Sequence, residues 1–357
     1  MNKENTSFYP GKRVFLTGHT GFKGAWMTAV LHSLGAQAAG YSLSPQPGCL
    51  FEKINGETMI HSIIADIRDA QRLKQELMSF RPEIIFHLAA NAIVKDCFDD
   101  PRTAYETNVM GTVNLFEAAR FCDSVKSILI ITTDKVYENK GDGAVYKETD
   151  PLGGIDPYSG SKTCMEFISE TYKKSYFQAN GKMTGVSTAR ASNVIAGGDH
   201  IQSRLIPSIL NAFSQGKEVE LRNPNQTRPW QSVLDVLNGY LTIARLMYEA
   251  PEKYSSQWNI GPSNEGIKSV REVVEKMLGF YKSSIGYKQT DKFNVTESQT
   301  LGLDISKALK FLDWQPQQSL DMILFELVDF FKRQQANEPE RDICLNQIEK
   351  YFFQKEF

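Results

Sequence analysis

Short apolar runs alternate along this chain with longer amphipathic stretches, the rhythm of strand–helix–strand units around a parallel sheet. Lys12-Arg13-Val14-Phe15-Leu16-Thr17 reads as a first strand, followed by a glycine-spaced loop and a helical run over 25–34 that Gly35 stops. Gln37-Ala38-Ala39-Gly40-Tyr41-Ser42-Leu43 reads as the second strand and Ile63-Ile64-Ala65-Asp66-Ile67-Arg68 as the third. The fourth, 83–90, is nearly all apolar, as expected of a parallel strand covered on both faces, so His87 within it reads as a packed core histidine. A helical pattern spans 101–121; Gly111 within it would cost stability unless close packing requires it. A fifth strand at 127–131 and a sixth at 187–191 bracket a helix over 158–177, opened by Asp156 as N-cap and Pro157 in the first turn. The apolar helical runs 233–247 and 322–331 read as core.

This order predicts an α/β chain with a Rossmann-type doubly wound parallel sheet and a smaller, interleaved C-terminal substrate-binding lobe. The expected division is 8–188 mainly for the dinucleotide-binding domain, 189–335 mainly for the lobe with segments returning to the first domain, and 336–357 as a tail without a usable motif.

Composition narrows the classes. A net charge of -2 over 357 residues offers no electrostatic reason to expect nucleic acid or an anionic membrane as partner. No apolar run approaches the roughly 20 residues that span a bilayer. The polar stretch from Met1 to Pro10 lacks the apolar core of a signal peptide. Cys49, Cys97, Cys122, Cys164 and Cys344 are scattered and show no Cys-x-x-Cys spacing, so reduced thiols in the cytoplasm are expected, with no metal site.

Two constellations carry chemistry. In Gly18-His19-Thr20-Gly21-Phe22-Lys23-Gly24, strand, glycine loop and helix follow one another, the context of a dinucleotide site. Gly18 permits the turn, Gly21 lets backbone approach a pyrophosphate, and Gly24 allows close helix–strand packing. The helix N-terminus offers its amides and dipole to the phosphates. The second strand ends in neither the acid that grips a ribose diol nor an arginine for a 2′-phosphate, which leaves NAD favoured over NADP only moderately. Asp66 has two readings, a partner for the adenine amino group or a solvated turn aspartate capping the helix from Asp69.

The second constellation is Tyr158-Ser159-Gly160-Ser161-Lys162, read with Thr132-Thr133-Asp134-Lys135 upstream. Tyr158 and Lys162, four apart, lie on one helix face, where an ammonium can lower the pKa of a phenol that must take a proton.

These residues resemble the extended short-chain dehydrogenase/reductase superfamily: Thr17-Gly18-x-x-Gly21-x-x-Gly24, Asp66, Leu88-Ala89-Ala90, Asn108-x-x-Gly111-Thr112 and Tyr158-x-x-x-Lys162. Within it, Thr133-Asp134-Lys135, Asp150-Pro151-Leu152-Gly153-Gly154, Arg190-Ala191-x-Asn193, Arg204-Leu205-Ile206-Pro207 and Arg222-Asn223-Pro224-x-x-x-Arg228-Pro229-Trp230-Gln231 resemble the CDP-glucose 4,6-dehydratase family. The resemblance covers roughly residues 8 to 335. It implies NAD as cofactor, held by Gly18, Thr20, Gly21, Phe22, Lys23, Gly24, Asp66, Ile67, Leu88, Ala89, Ala90, Tyr158 and Lys162.

Catalysis is then expected of Thr133, Asp134, Lys135, Tyr158 and Lys162. Tyr158 would take the C4 hydroxyl proton and Asp134 would protonate the departing C6 hydroxyl. Lys135, where other 4,6-dehydratases carry glutamate, is either the C5 base, a water-orienting group or a stabiliser of the enolate. Asn91, Asn193, Arg204, Arg222 and Arg228 are the substrate-binding expectations, for CDP-glucose or a related nucleotide sugar. The resemblance further implies deoxysugar formation of the O-antigen kind. It also implies a homodimer or dimer of dimers through the helices over 101–121 and 158–177. Asn91 stands where glutamine is usual, Ser192 and Ala196 where glycines are, and Lys140-Gly141-Asp142-Gly143-Ala144 lacks the tryptophans of the sugar pocket. The alternatives are therefore a dehydratase of another nucleotide-linked hexose, or a nucleotide-sugar epimerase.

Overall fold

The alternating pattern resolves into layers in the computed structural model, which describes residues 3–354 apart from 142, 180, 182, 202–203, 222, 283–284 and 291–300. The central sheet comprises β1 (Arg13–Thr17), β2 (Gln37–Ser42), β3 (His61–Ile64), β4 (Ile84–His87), β5 (Ser127–Ile131), β6 (Gly185–Ala191) and β7 (Gln257–Ile260). Its order is β7-β6-β5-β4-β1-β2-β3 and every pairing is parallel. Strand order reverses between β1 and β4, which opens a crevice at their carboxyl ends.

Side chains on β1 alternate as a two-residue period requires. Val14 and Leu16 face one hydrophobic layer with Trp26, Leu237 and Ile343, from helices Phe22–Ser33, Val233–Glu249 and Glu340–Phe352. Phe15 faces the other, with Leu73, Leu115 and Met165 from helices Ala70–Phe80, Gly111–Ala119 and Pro157–Tyr172. A separate cluster, including Ile209, Trp230, Val274 and Leu324, forms the interior of the smaller lobe. That lobe is built on helices Leu205–Ser214, Val270–Tyr281 and Leu320–Gln335 and on a three-stranded sheet of Asn193–Ile195, Thr227–Ser232 and Ile267–Ser269.

Several local expectations shift for identifiable reasons. The third strand stops at Ile64; Asp66 instead accepts from the backbone and guanidinium of Arg68 in a turn, and Asp69 is the residue that caps the next helix, accepting from the Arg72 amide. The helix expected over 101–121 is interrupted by a π turn, Glu106–Met110. Directly after it Gly111 packs so closely that a Cβ there would lie 2.8 Å from Ile67 Cγ2, which is the reason for a glycine inside the helix. Met322 and Phe325 are exposed within the run 322–331 expected to be core, on the outer face of a helix whose other face is buried.

Residues beyond 335 are integral to the dinucleotide half. Ile343, Cys344, Ile348 and Phe352 enter the first hydrophobic layer, and Tyr351 Oη donates to Asp235 Oδ1 at 2.6 Å. The same buried Asp235 accepts the backbone amides of Gln317 and Gln318. No helix among the described residues is long and apolar enough to cross a membrane.

Candidate functional site

The crevice is lined by the segments that leave the carboxyl ends of the strands. After β1 the chain turns at Gly18, whose φ is +76°. A Cβ on Gly18 would sit 2.7 Å from the Ala89 nitrogen, and one on Gly24 would sit 2.0 Å from the Gly18 carbonyl oxygen. Only glycine fits either position, so the loop folds back tightly on the start of helix Phe22–Ser33. Gly21, its N-cap, supplies no side-chain cap, which leaves the first-turn amides and positive dipole end for an anion. This cradle fits a dinucleotide pyrophosphate.

Gly24→Ala is accordingly expected to displace the loop at a cost of about 1–3 kcal/mol. Calorimetric titration of NAD should register this as roughly tenfold or greater loss of affinity. Unchanged NAD binding would remove the glycine loop from the cofactor site.

Thr20 Oγ1 hydrogen-bonds Ser42 Oγ at 2.8 Å and the Leu43 carbonyl at 3.0 Å, tying the loop to the end of β2. His19 is buried, reaches Ser62 at 2.7 Å, and packs where a Cβ on Gly40 would collide with its ring; burial lowers its pKa to about 4. After β4, the Ala89 amide donates to Thr17 Oγ1 at 3.2 Å. His87 bridges Thr17 at 2.7 Å and Thr112 at 3.1 Å, and burial, then Lys162, depresses its pKa to about 3. It is a neutral spacer between sheet and helix. The Asn91 amide donates to Asn108 Oδ1, and Asn108 Nδ2 reaches Ser161 Oγ at 2.8 Å. Asn108 thus joins the β4 loop to the Tyr158 helix from within the π turn, a position such turns frequently occupy at functional sites.

Asp156 caps helix Pro157–Tyr172 through the Ser159 amide, with Ser159 Oγ returning to the Asp156 backbone as a capping box. The helix therefore starts where Tyr158 meets the crevice. Lys162 Nζ donates to the Ile131 carbonyl at 3.0 Å, leaving two N–H donors for a ligand. Burial, then the neighbouring Lys23, lowers its pKa to about 7. Tyr158 departs from the simple helix-face picture. Burial pushes its phenol up to about 12, and the main opposing influence is the neighbouring Thr133 hydroxyl, not the Lys162 ammonium.

Thr133 is also the link to the next group, since its Oγ1 donates to Asp134 Oδ1 at 3.0 Å. Asp134 is buried in the single 3-10 turn Asp134–Val136 directly after β5. Burial raises its pKa and Lys135, half-buried beside it, opposes the rise. Lys23, brought down to about 8 by burial and then Arg204, faces the same group.

Of the substrate-side expectations, Arg204 reaches the site electrostatically, acting on both Tyr158 and Lys23 while its Nη1 holds Asp199 at 3.0 Å. Asn193 opens a short strand after β6, opposite Trp230. Arg228 lies on the next strand with Nη2 on Gln226 at 3.2 Å. Arg222 lies outside the described residues. The Asp66 carboxylate is engaged by Arg68 at the rim, and the adjacent Ile67 is buried against Gly111. Among the described residues no group of His, Cys, Asp and Glu is placed to hold a metal ion.

Sequence reading quoted His19 and Arg190 within motifs but gave no role to His19 or to the Glu166–Arg190 pair near the Asp134 turn. An arginine within the small-residue strand Gly185–Ala191 was the signal for the latter.

The family described as GDP-mannose 4,6 dehydratase matches residues 15–327. A CDP-glucose 4,6-dehydratase from Salmonella typhimurium is 41% identical over 330 residues, covering 91% of this chain and 92% of that protein. Among solved structures, an epimerase from Methanothermobacter thermautotrophicus superposes with a TM-score of 0.80 at 20% identity, covering 94% of this chain and 96% of its own. A dTDP-glucose 4,6-dehydratase from Bacillus anthracis, in complex with NAD, superposes with a TM-score of 0.75 at 22% identity, covering 91% and 98%. The structural likenesses establish the doubly wound fold.

Proposed function

The chain belongs to the GDP-mannose 4,6 dehydratase family, and from that premise we propose that it converts CDP-D-glucose to CDP-4-keto-6-deoxy-D-glucose and water with NAD recycled. The observation that carries the reading is the grouping of Tyr158, Thr133 and Asp134, in which Thr133 acts on the buried phenol and donates to the buried carboxyl, so an oxidation base sits near a carboxylic acid. Epimerisation at C4 needs the first of these and has no use for the second.

NAD, when bound, would supply the acceptor for the C4 hydride and its donor at C6. Gly18, Gly21 and Gly24 would hold its pyrophosphate, and the free Lys162 donors its ribose. Tyr158 takes the C4 hydroxyl proton, with Thr133 on the same oxygen. Lys135, or a water that it orients, then takes the C5 proton, leaving an enolate beside that side chain, and the same proton is available to return to C5. Asp134, whose pKa burial raises, gives its proton to the C6 hydroxyl, which departs as water. The returned hydride and a proton at C5 complete the product, so the net change is loss of one water. Arg204, Arg228, Arg222, Asn193 and Asn91 are assigned to the nucleotide diphosphate and sugar.

The test is incubation with CDP-glucose and NAD followed by mass spectrometry. Loss of one water without net NADH is expected. Turnover of a UDP-, GDP- or dTDP-hexose instead would move the substrate, and no water loss from any of them would sink the dehydratase assignment.

Assembly belongs to the same proposal. Met110 is 50% exposed and Phe167 59% exposed on the two long helical segments, with Tyr105, Phe121 and Tyr176 nearby in sequence. An apolar face of this kind marks a protein contact, and a cytoplasmic homodimer pairing these helices would cover it. Phe167→Asp combined with Met110→Glu should convert a dimer to a monomer by light scattering after gel filtration. A dimer that survives the double change would place the interface elsewhere.

A further inference from the structure

Four hydrogen bonds converge on one buried carboxylate. Glu166 Oε1 accepts from Thr132 Oγ1 at 2.6 Å and from Arg190 Nε at 3.0 Å. Its Oε2 accepts from Thr188 Oγ1 at 2.7 Å and Arg190 Nη2 at 2.9 Å. Both charged side chains are 2% exposed. Burying two charges is expensive, and a well-packed apolar replacement often serves stability as well, so a pair this deep calls for a positional explanation.

Its place in the chain supplies one. Glu166 follows Lys162 by four residues and Tyr158 by eight, one helix face carrying all three. Thr132 is the residue before Thr133 and Asp134. At the far end of the same turn, the Tyr137 hydroxyl accepts from Arg190 Nη1 at 2.8 Å and donates to Asn259 Oδ1 at 2.6 Å. Arg190 Nη1 also reaches the Glu148 carbonyl. The pair therefore grips the turn in front of and behind Asp134 and fastens it to the helix that bears Tyr158.

We propose that Glu166 and Arg190 are positioning residues for the dehydratase reaction, setting the separation between the oxidation group Tyr158 and the elimination group Asp134. The inference rests on the dehydratase reading. Its chemical reason is that one bound sugar must present C4 to Tyr158 and C6 to Asp134 without moving, and a misplacement near 1 Å can cost about 100-fold.

The experiment compares wild type with Glu166→Gln, Arg190→Lys and Thr132→Val, and with Thr132→Ser as the conservative rescue. Steady-state kinetics, mass spectrometry of the sugar and amide hydrogen exchange of the ligand-free protein are measured on each. In Glu166→Gln and Arg190→Lys, kcat should fall about 100-fold with KM held within about twofold, and the 4-keto sugar that has not lost water should accumulate. Amides of residues 133–136 should exchange faster while those of β5 do not change. Thr132→Val should show the same pattern more weakly and Thr132→Ser should reverse it, so the threonine pair decides the matter if the charge variants fail to fold. Near-wild-type kcat in folded variants, or a fall in kcat without faster exchange at the turn, would overturn the positioning role. A wild type that removes no water from any nucleotide sugar would instead remove the reading beneath it.

Discussion

Tyr158→Phe is expected to cut turnover roughly 100- to 10,000-fold while the fold and NAD binding persist. On the proposed mechanism the phenol oxygen takes the C4 hydroxyl proton, with the Thr133 hydroxyl acting on it. Removing it deletes the base and leaves the ring to fill the same space, so the loss falls on chemistry. Its high pKa in the ligand-free protein does not argue against the role. Burial is what raises it, and the charge of an oxidised nicotinamide together with the Lys162 ammonium would favour the phenolate once ligands exclude water. Rapid-mixing measurement of C4 oxidation is the check, since both the burst of reduced cofactor and the product should disappear together. Near-normal turnover would show that another group takes the proton.

Asp134→Asn separates the two halves of the reaction. C4 oxidation should survive, because Tyr158 and Lys162 are untouched, whereas water loss should slow by roughly 100- to 10,000-fold for want of an acid at C6. The variant should therefore accumulate a 4-keto hexose that keeps its C6 hydroxyl, read by mass spectrometry, with reduced cofactor absorbing steadily. The pH dependence has a definite sign. Burial raises the Asp134 pKa, so the acid form persists above the ordinary carboxylate range, and wild-type kcat should fall as pH rises through that value. In Asp134→Asn that limb should vanish, and any decline that remains near pH 7 reports Lys162, whose pKa burial and Lys23 set at about 7. Elimination at the wild-type rate in Asp134→Asn would assign the acid elsewhere.

Much of the scaffold was legible because its information is local. The apolar run Val14-Phe15-Leu16 gives a strand with two buried faces, Asp156-Pro157 starts a helix, and Gly24 is crowded by Gly18 and His19 within the same loop. His87 as a core residue followed from its apolar strand. Two local readings strained, one against a contact from afar and one against a neighbour two residues on. The helix through Asn108 is broken by a π turn beside Gly111 and Ile67, and the strand expected to reach Arg68 ends early where Asp66 and Arg68 pair.

Fold class, the glycine loop and the candidate chemical groups could all be read along the chain, because periodicities of two and 3.6 residues and glycine spacing are written in neighbouring positions. Which of those groups meet depends on packing between distant elements. Lys162 turns to the Ile131 carbonyl, Thr133 joins Tyr158 to Asp134, and Arg190 crosses from β6 to Glu166 and Tyr137. The last contacts join residues 24 and 53 apart in sequence, and only packing of the sheet against its helices brings them to hydrogen-bonding distance. That same packing excludes water from Asp134 and Lys162, and burial is the first cause of the shift in each pKa.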